Sequence, residues 1–407
     1  MTKRRLPRPA ELAELLRPKP FVLNPTDRRL AGAHTIADLR AVARKRTPRA
    51  VFDYTDGAAE LEDSLRRARQ AYRRVEFRPN ILRGVSEVDT SVTVLGKRGE
   101  LPFAFAPTGF TRMMNHEGER AVARVAQREG IPYALSTMGT TSIEDVAEAA
   151  PSARKWFQLY VWHDRAVGAD LMRRAWDSGY DTLLLTVDTP VGGARMRDVR
   201  NGLTIPPALT PRTFIDGAMH PAWWMNLLTT EPLTFASLVS TSGGTVADLI
   251  NKIFDPTLNF DDLAWVKESW PGALVVKGVQ SAEDARDVVK AGADAVILSN
   301  HGGRQLDRAP TPLELLPATL EAVHAVRDDA EVWLDTGILS GGDIVAAMAM
   351  GADLCLIGRA YLYGLMAGGE RGVQRAVDIL RTELVRTMQL LGVASVSDLS
   401  PSTAILR

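Results

Sequence analysis

The sequence predicts an α/β chain folded as a (β/α)8 TIM barrel, with a helical N-terminal extension and one long insertion after the fourth strand. Three observations predict it. Eight short apolar runs recur along the chain, helical segments separate most of them, and the runs are continuous rather than alternating. Continuous apolar runs suit parallel strands buried on both faces. Eight such strands alternating with helices close into a barrel. The competing arrangement, a doubly wound open sheet, would carry G-x-G-x-x-G after an early strand, and the sequence has none.

Taken in order, residues 1–34 read as a basic, Pro-containing arm without the continuous apolar core of a secretory signal. Residues 35–407 read as one barrel domain. Thr35 is placed to cap IADLRAVARKR and Pro48 to end that helical region. A second helical piece, RAVFDYTDGAA, follows, and the helical pattern continues to about Arg74. Short extended pieces and turns fill 75–100. The strands are then LPFAFAP (101–107), PYALS (132–136), KWFQLYV (155–161), TLLLTVD (182–188), ALVVKG (273–278), AVILSN (295–300), EVWLDTG (331–337) and LCLIGR (354–359). Helical segments such as EGERAVARVAQREG and SAEDARDVVKAG lie between them, and residues 369–392 close the series. More than 80 residues separate the fourth and fifth strands. A gap of this size marks a lid or an insertion. This one, 189–272, holds the Pro-rich IPPALTPRT, the pair Trp223–Trp224 and DDLAWVKESW.

Composition limits the function classes. Hydrophobic residues are 45% and charged residues 24%, the balance of a soluble globular protein. Lys plus Arg equals Asp plus Glu at 49 each, so the basic excess of a generic nucleic-acid binder is missing. No apolar run approaches the ~18 residues of a membrane span, and a cytoplasmic protein is expected. The single Cys355, in the apolar LCLIG, excludes a disulfide framework and reads as a core thiol. The six histidines (34, 116, 163, 220, 301, 324) form no H-x-x-x-H or H-x-H pair, so no zinc or iron site is expected.

In such a barrel the active site lies at the C-terminal ends of the strands. Those ends offer Pro107-Thr108-Gly109, Ser136, Gln158 with Tyr160, Thr186 with Asp188, Lys277-Gly278, Ser299 through Arg304, Asp335 with Gly337, and Gly358-Arg359. A purely structural barrel would not need polar or Gly residues at nearly every end. His301 is the leading general base, because imidazole titrates near working pH and two glycines follow it; the alternative is a surface-loop histidine. Asp188 is its candidate partner, favouring the charged imidazole, or else a turn residue before Pro190. Arg304 and Arg195 together would clamp a carboxylate, although Arg197 and Arg200 make a solvated charge run the other reading of Arg195. Tyr160 and Tyr54 are candidate hydrogen-bond donors to substrate or, alternatively, packing residues. Gly337, Gly341, Gly342, Gly358 and Arg359 fit a phosphate site. A buried Lys277 needs an anionic partner, and faces a developing negative charge or serves as a Schiff-base lysine.

The run SNHGGRQLD, with FQLYVW and TVDTP upstream and GR at the eighth strand, resembles the FMN-dependent 2-hydroxy-acid oxidoreductases from about Thr35 to the C-terminus. ILRGVSEVD and IGRAYLYGLMAGGE are most similar to the actinobacterial, quinone-linked L-lactate dehydrogenase branch. The resemblance implies FMN as cofactor. It implies His301 as base with Asp188 as partner, Arg195, Arg304 and Tyr54 on the substrate carboxylate, and Tyr160 on its hydroxyl or keto oxygen. Lys277 would stabilise the reduced flavin. Pro107, Thr108, Gly109, Ser136, Gln158, Thr186 and Ser299 would surround the ring system and its chain, and Asp335, Gly337, Gly358 and Arg359 the phosphate end.

The implied reaction is oxidation of a small L-2-hydroxy acid, L-lactate to pyruvate, with electrons leaving to a quinone or another acceptor. The alternatives are an oxidase, a monooxygenase, a member acting on mandelate or a peptide precursor, and a non-catalytic phosphate-binding barrel. Two residues depart from the family pattern. Leu339 replaces an arginine that the family places on the phosphate, so phosphate binding leans on Arg359 and backbone amides. Gly109 stands where many oxidases have Ala, which argues against a peroxide-forming oxidase. Met138, beside the flavin in this family, suits a small acid. The insertion matches a variable loop that in some members mediates membrane association. Trp223, Trp224, Met225, Leu227 and Leu228 would lie at a membrane interface, or else form a lid or an oligomer contact. Family members are commonly tetramers.

Overall fold

The computed structural model describes residues 5–6, 8–16, 22–162, 164–202, 211–238 and 254–407. His163 and most of IPPALTPRT lie outside them.

Two short helices, α1 (Pro9–Leu15) and α2 (Pro25–Ala31), occupy the N-terminal arm. The arm is not wholly separate from the barrel domain, because Leu30 and Ala33 are buried in its main core. Helices α3 (Ile36–Arg46), α4 (Arg49–Asp56) and α5 (Asp63–Arg73) follow. Thr35 caps α3 as expected: its hydroxyl accepts from Asp38 N, and the Asp38 carboxylate accepts from Thr35 N at 2.9 Å. Pro48 separates α3 from α4. Three small strands come next, β1 (Val75–Phe77), β2 (Val92–Val94) and β3 (Lys97–Gly99).

Eight parallel strands form a closed barrel: β4 (Phe103–Phe105), β5 (Tyr133–Ser136), β6 (Lys155–Leu159), β7 (Tyr180–Thr186), β8 (Ala273–Val279), β9 (Ala295–Leu298), β10 (Glu331–Leu334) and β11 (Leu354–Ile357). Each overlaps its expected run, with boundaries differing by at most three residues. The β10–β9 and β11–β4 pairings close the circle. Between the strands run α6 (Thr111–Met114), α7 (Gly118–Glu129), α8 (Ile143–Ala149) and α9 (Arg165–Asp177). The insertion contributes α10 (Met196–Arg200), α11 (Pro211–Ala218), α12 (Pro221–Leu228) and α13 (Phe260–Ser269). Then come α14 (Ala282–Lys290), α15 (Pro312–His324), α16 (Gly341–Ala349) and α17 (Arg359–Leu391), the last interrupted at Gly368–Gly369. Strand β12 (Ala404–Leu406) pairs with β1. Ser142, Ser281 and Ser340 each accept a hydrogen bond from an amide in the first turn of the helix that follows, so the chain turns sharply from loop to helix.

The barrel interior is packed rather than hollow. Trp156 and Trp333 stack across it with centroids 4.9 Å apart, and small residues (Ala104, Ala134, Ala295) on other strands make room for them. Val94 of the β2–β3 hairpin packs against this cluster and Leu95 N donates to Glu331 at 2.6 Å. The hairpin thus covers the N-terminal mouth and leaves the opposite mouth for the site. Cys355 is buried on β11, and burial raises its thiol pKa.

Described segments of the insertion dock on the barrel. Trp223 Nε1 donates to Met113 O at 2.8 Å, and Phe235 packs 4.6 Å from Phe110. Trp223 therefore faces inward, as the lid alternative expects, while its neighbour Trp224 is exposed. The exposed large apolar residues on and beside α11 and α12 are Phe214, Ile215, Met219, Trp224, Met225 and Leu228. Among the described residues no helix is long and apolar enough to cross a membrane.

Candidate active site

One cavity opens at the C-terminal mouth, and most of the expected site residues gather around it; Gly341 and Gly342 do not line it, and Gly341 packs instead against the backbone of α17. Tyr54, Tyr160, Arg195, Lys277, His301 and Arg304 line it. So do Pro107, Thr108, Gly109 and Ser136 on one wall, and Asp335, Gly337, Gly358 and Arg359 on another. Asp188, Ser299, Gln158 and Thr186 stand behind these walls as supports or at the strand ends.

His301 begins a short 3-10 turn (His301–Gly303) and adopts φ +58°, a strained conformation for a residue with a side chain. Four hydrogen bonds hold the turn and its histidine there. Its amide donates to Ser299 Oγ at 3.0 Å. Asn300 Oδ1 accepts from Gly303 N at 2.9 Å and from Thr336 Oγ1 at 3.1 Å. His301 Nδ1 lies 3.1 Å from Asp188 Oδ1. Burial of Asp188 disfavours its charge, but His301 and then Lys277 outweigh burial and hold its pKa below the usual carboxylate range. An ionised carboxylate only accepts, so Nδ1 carries a proton, and in the neutral ring Nε2 is the nitrogen left as the base.

Lys277 leaves β8 beside Thr186 of β7. Its ammonium group donates to Ser299 Oγ at 3.1 Å and lies 3.4 Å from Asp335 Oδ2. The anionic partner that a buried lysine needs is Asp335.

The two guanidinium groups meet at Tyr54. Arg304 sits over the Tyr54 ring at 4.8 Å and Arg195 at 5.3 Å. Arg304 also donates to the Tyr54 carbonyl. Burial, and then the neighbouring Arg195, lower the Arg304 pKa to about 10, so it is charged at neutral pH. The acidic neighbour is Asp198, 3.3 Å from Arg195 Nε, and burial raises its pKa. Two clustered cations sharing one acid favour an incoming carboxylate. Tyr160 is buried, its phenol pKa is raised by burial, and it remains a donor through the working range.

The remaining polar groups fit a flavin. Gln158 Oε1 accepts from Ser136 Oγ at 3.0 Å, but Gln158 Nε2 and Thr186 Oγ1 are buried with no protein partner. Buried orphans of this kind mark a ligand that completes them. A Cβ at Gly109 would stand 2.9 Å from Met138 Cβ, so an alanine here would displace Met138. Thr108 spends its hydroxyl on Tyr361 at 2.6 Å. Arg359 begins α17, and its Nε and Nη2 donate to Thr55, Gly57 and Gly302 carbonyls at 2.8–2.9 Å.

Several contributors escaped the sequence reading. Gln305 donates to the Asp188 and Val191 carbonyls and accepts from Gly193 N, tying the His301 turn to the start of the insertion. It lies inside SNHGGRQLD, so the motif held the signal. Asp198, three residues after Arg195 on a helical turn, was also available. Phe254, 6.5 Å from Tyr160, and Arg69, on a helix outside the barrel series, carried no local signal.

A closed barrel whose C-terminal mouth gathers a His–Asp pair, two clustered arginines and buried polar atoms that await a ligand fits the class of flavin-dependent oxidoreductases. The chain belongs to the FMN-dependent dehydrogenase family, whose model matches residues 43–406. It is 57% identical over 401 residues, 98% of this chain and 95% of the other, to a Mycobacterium tuberculosis protein named provisionally as an L-lactate dehydrogenase. An L-lactate dehydrogenase of Allorhizobium ampelinum is 39% identical over 90% of this chain and 97% of its own. The crystal structure of the monotopic membrane protein (S)-mandelate dehydrogenase superposes with a TM-score of 0.88 at 37% identity, covering 92% of this chain and 100% of that one.

Proposed function

We propose that the protein oxidises L-lactate to pyruvate and passes the electrons to a quinone. The observation that carries the chemistry is the His301–Asp188 pair opening onto the same cavity as the Tyr54-centred arginine clamp. Arg195 and Arg304 bind the substrate carboxylate, and Tyr160 donates to its α-oxygen. This orientation brings the CH–OH group to His301. His301 Nε2 accepts the proton released on oxidation, and Asp188 stabilises the imidazolium that results. FMN supplies the two-electron chemistry when bound. Gln158, Thr186, Ser136 and Lys277 would hold its ring system, and Lys277 would offset negative charge developing there.

Relatives named for L-lactate at 57% and 39% identity support lactate. Met138, Phe110 and Phe254 on the cavity wall suit a small side chain. The exposed apolar face of α11 and α12 supports peripheral contact with the inner face of the cell membrane, where a quinone would be met. The family resemblance supports a homotetramer.

Steady-state assays with L-lactate and (S)-mandelate, each with a soluble quinone analogue or with oxygen alone, test this reading. It predicts the highest kcat/KM for L-lactate with the quinone. Preference for mandelate overturns the substrate, and equal turnover with oxygen overturns the acceptor. Trp224→Ser with Leu228→Ser should reduce co-sedimentation with lipid vesicles; unchanged sedimentation overturns the membrane contact.

A further inference from the structure

In barrels of this kind phosphate is bound by the loops after the seventh and eighth strands. The loop after β10 carries Leu339 where the resembled family has an arginine, and the structure brings an arginine there from a different element. Arg69 extends from α5 into the cavity beside Gly337, Leu339 and Arg359. Its Nη1 donates to Gly337 O and to Asp343 Oδ2, the latter at 2.7 Å. Asp343 is itself fixed, since it also accepts from Leu339 N at 2.8 Å and lies in the first turn of α16. The carboxylate thus orients Arg69 while it organises the loop after β10. Helix α5 reaches this loop closely: a Cβ at Gly337 would stand 3.2 Å from Ala68 and from Tyr72.

Donor arithmetic identifies what Arg69 has to offer. A guanidinium carries five N–H groups. Nη1 of Arg69 uses its two, and its Nε and Nη2 have no protein partner among the described residues. Arg359 spends Nε and Nη2 on three backbone carbonyls and keeps only Nη1. Of the other cations lining the cavity, Lys277 is tied to Asp335, and Arg195 and Arg304 are gathered at Tyr54. A phosphate monoester carries about −1.5 to −2 charges and three acceptor oxygens. Arg359 alone does not match it.

We propose that Arg69 is a phosphate-binding residue of the FMN site, supplying from α5 the second guanidinium that Leu339 cannot provide. Its role is to make the site prefer FMN over the unphosphorylated flavin.

The test is titration of the apoprotein with FMN and with riboflavin, followed by flavin fluorescence, in the parent, Arg69→Met and Arg69→Lys. Loss of charge-assisted hydrogen bonds predicts about tenfold to a hundredfold weaker FMN binding in Arg69→Met, with riboflavin binding changed less than threefold. Arg69→Lys should recover part of the loss. A purely structural bridge between α5 and the β10 loop would instead weaken both flavins alike. Equal loss for the two ligands, or unchanged FMN affinity in either variant, overturns the proposal. Should Arg69→Met fail to fold, Arg69→Lys retains a charge in place, and the FMN-to-riboflavin affinity ratio in that variant still decides. Parent protein that binds riboflavin as tightly as FMN would also overturn it.

Discussion

Gly278 packs against Asp188 so closely that a Cβ on it would stand 2.6 Å from the carboxyl carbon. Gly278 also adopts φ +103°, a conformation that favours glycine. The residue after Lys277 thereby lets two chemical groups from neighbouring strands share one small space. Gly278→Ala should push Asp188 away from His301. Flavin content should stay near that of the parent while the rate of flavin reduction falls about tenfold or more. A variant with parental rate would remove this steric role.

The paired groups themselves make a sharper prediction. His301→Gln should retain FMN and slow flavin reduction by about a hundredfold to ten-thousandfold, the range of a lost general base. Rapid mixing with substrate measures it. Unchanged reduction would show that the proton goes elsewhere.

Asp188 adds a stability signature. Its pKa is lower in the folded protein than in the unfolded chain. Its contribution is therefore complete above the unfolded value of about 3.9 and disappears as pH falls through the lower folded value. Asp188→Asn should lose stability at neutral pH and show a shallower decline below about pH 4. Urea titrations across that range report both, and identical slopes would contradict the assignment.

The clamp around Tyr54 predicts a binding effect. Arg304→Met removes a charge-assisted contact worth about 1.5–3 kcal/mol, so KM for the hydroxy acid should rise about tenfold to a hundredfold. Arg304→Lys should restore only part of this, because a lysine cannot present a planar fork. Unaltered KM and kcat in both variants would dismantle the clamp.

Much of this site was legible because barrel geometry converts sequence position into location. Once eight strands were identified, their C-terminal ends had to share one mouth, and His301, Asp188, Lys277 and Arg304 followed. Residues outside that rule were harder to see. Arg69 lies on a helix preceding the barrel, and nothing in DSLRRARQAYRR distinguishes it from Arg66, Arg67, Arg73 or Arg74. Its partners, Gly337 and Asp343, are more than 260 residues away. The pair Trp223–Trp224 poses a different limit: adjacent residues on a helix point about 100° apart. Composition alone could not separate the one that donates to Met113 from the one that faces outward. The arm over 1–34 hid its docking for a similar reason, since Leu30 and Ala33 form no periodic pattern among charged neighbours.

The most direct measurement is the anaerobic visible spectrum of the purified protein before and after L-lactate. The account predicts a flavin band that bleaches within seconds of mixing and returns when a quinone analogue is added. A band that persists with L-lactate, in protein that retains FMN, would contradict it.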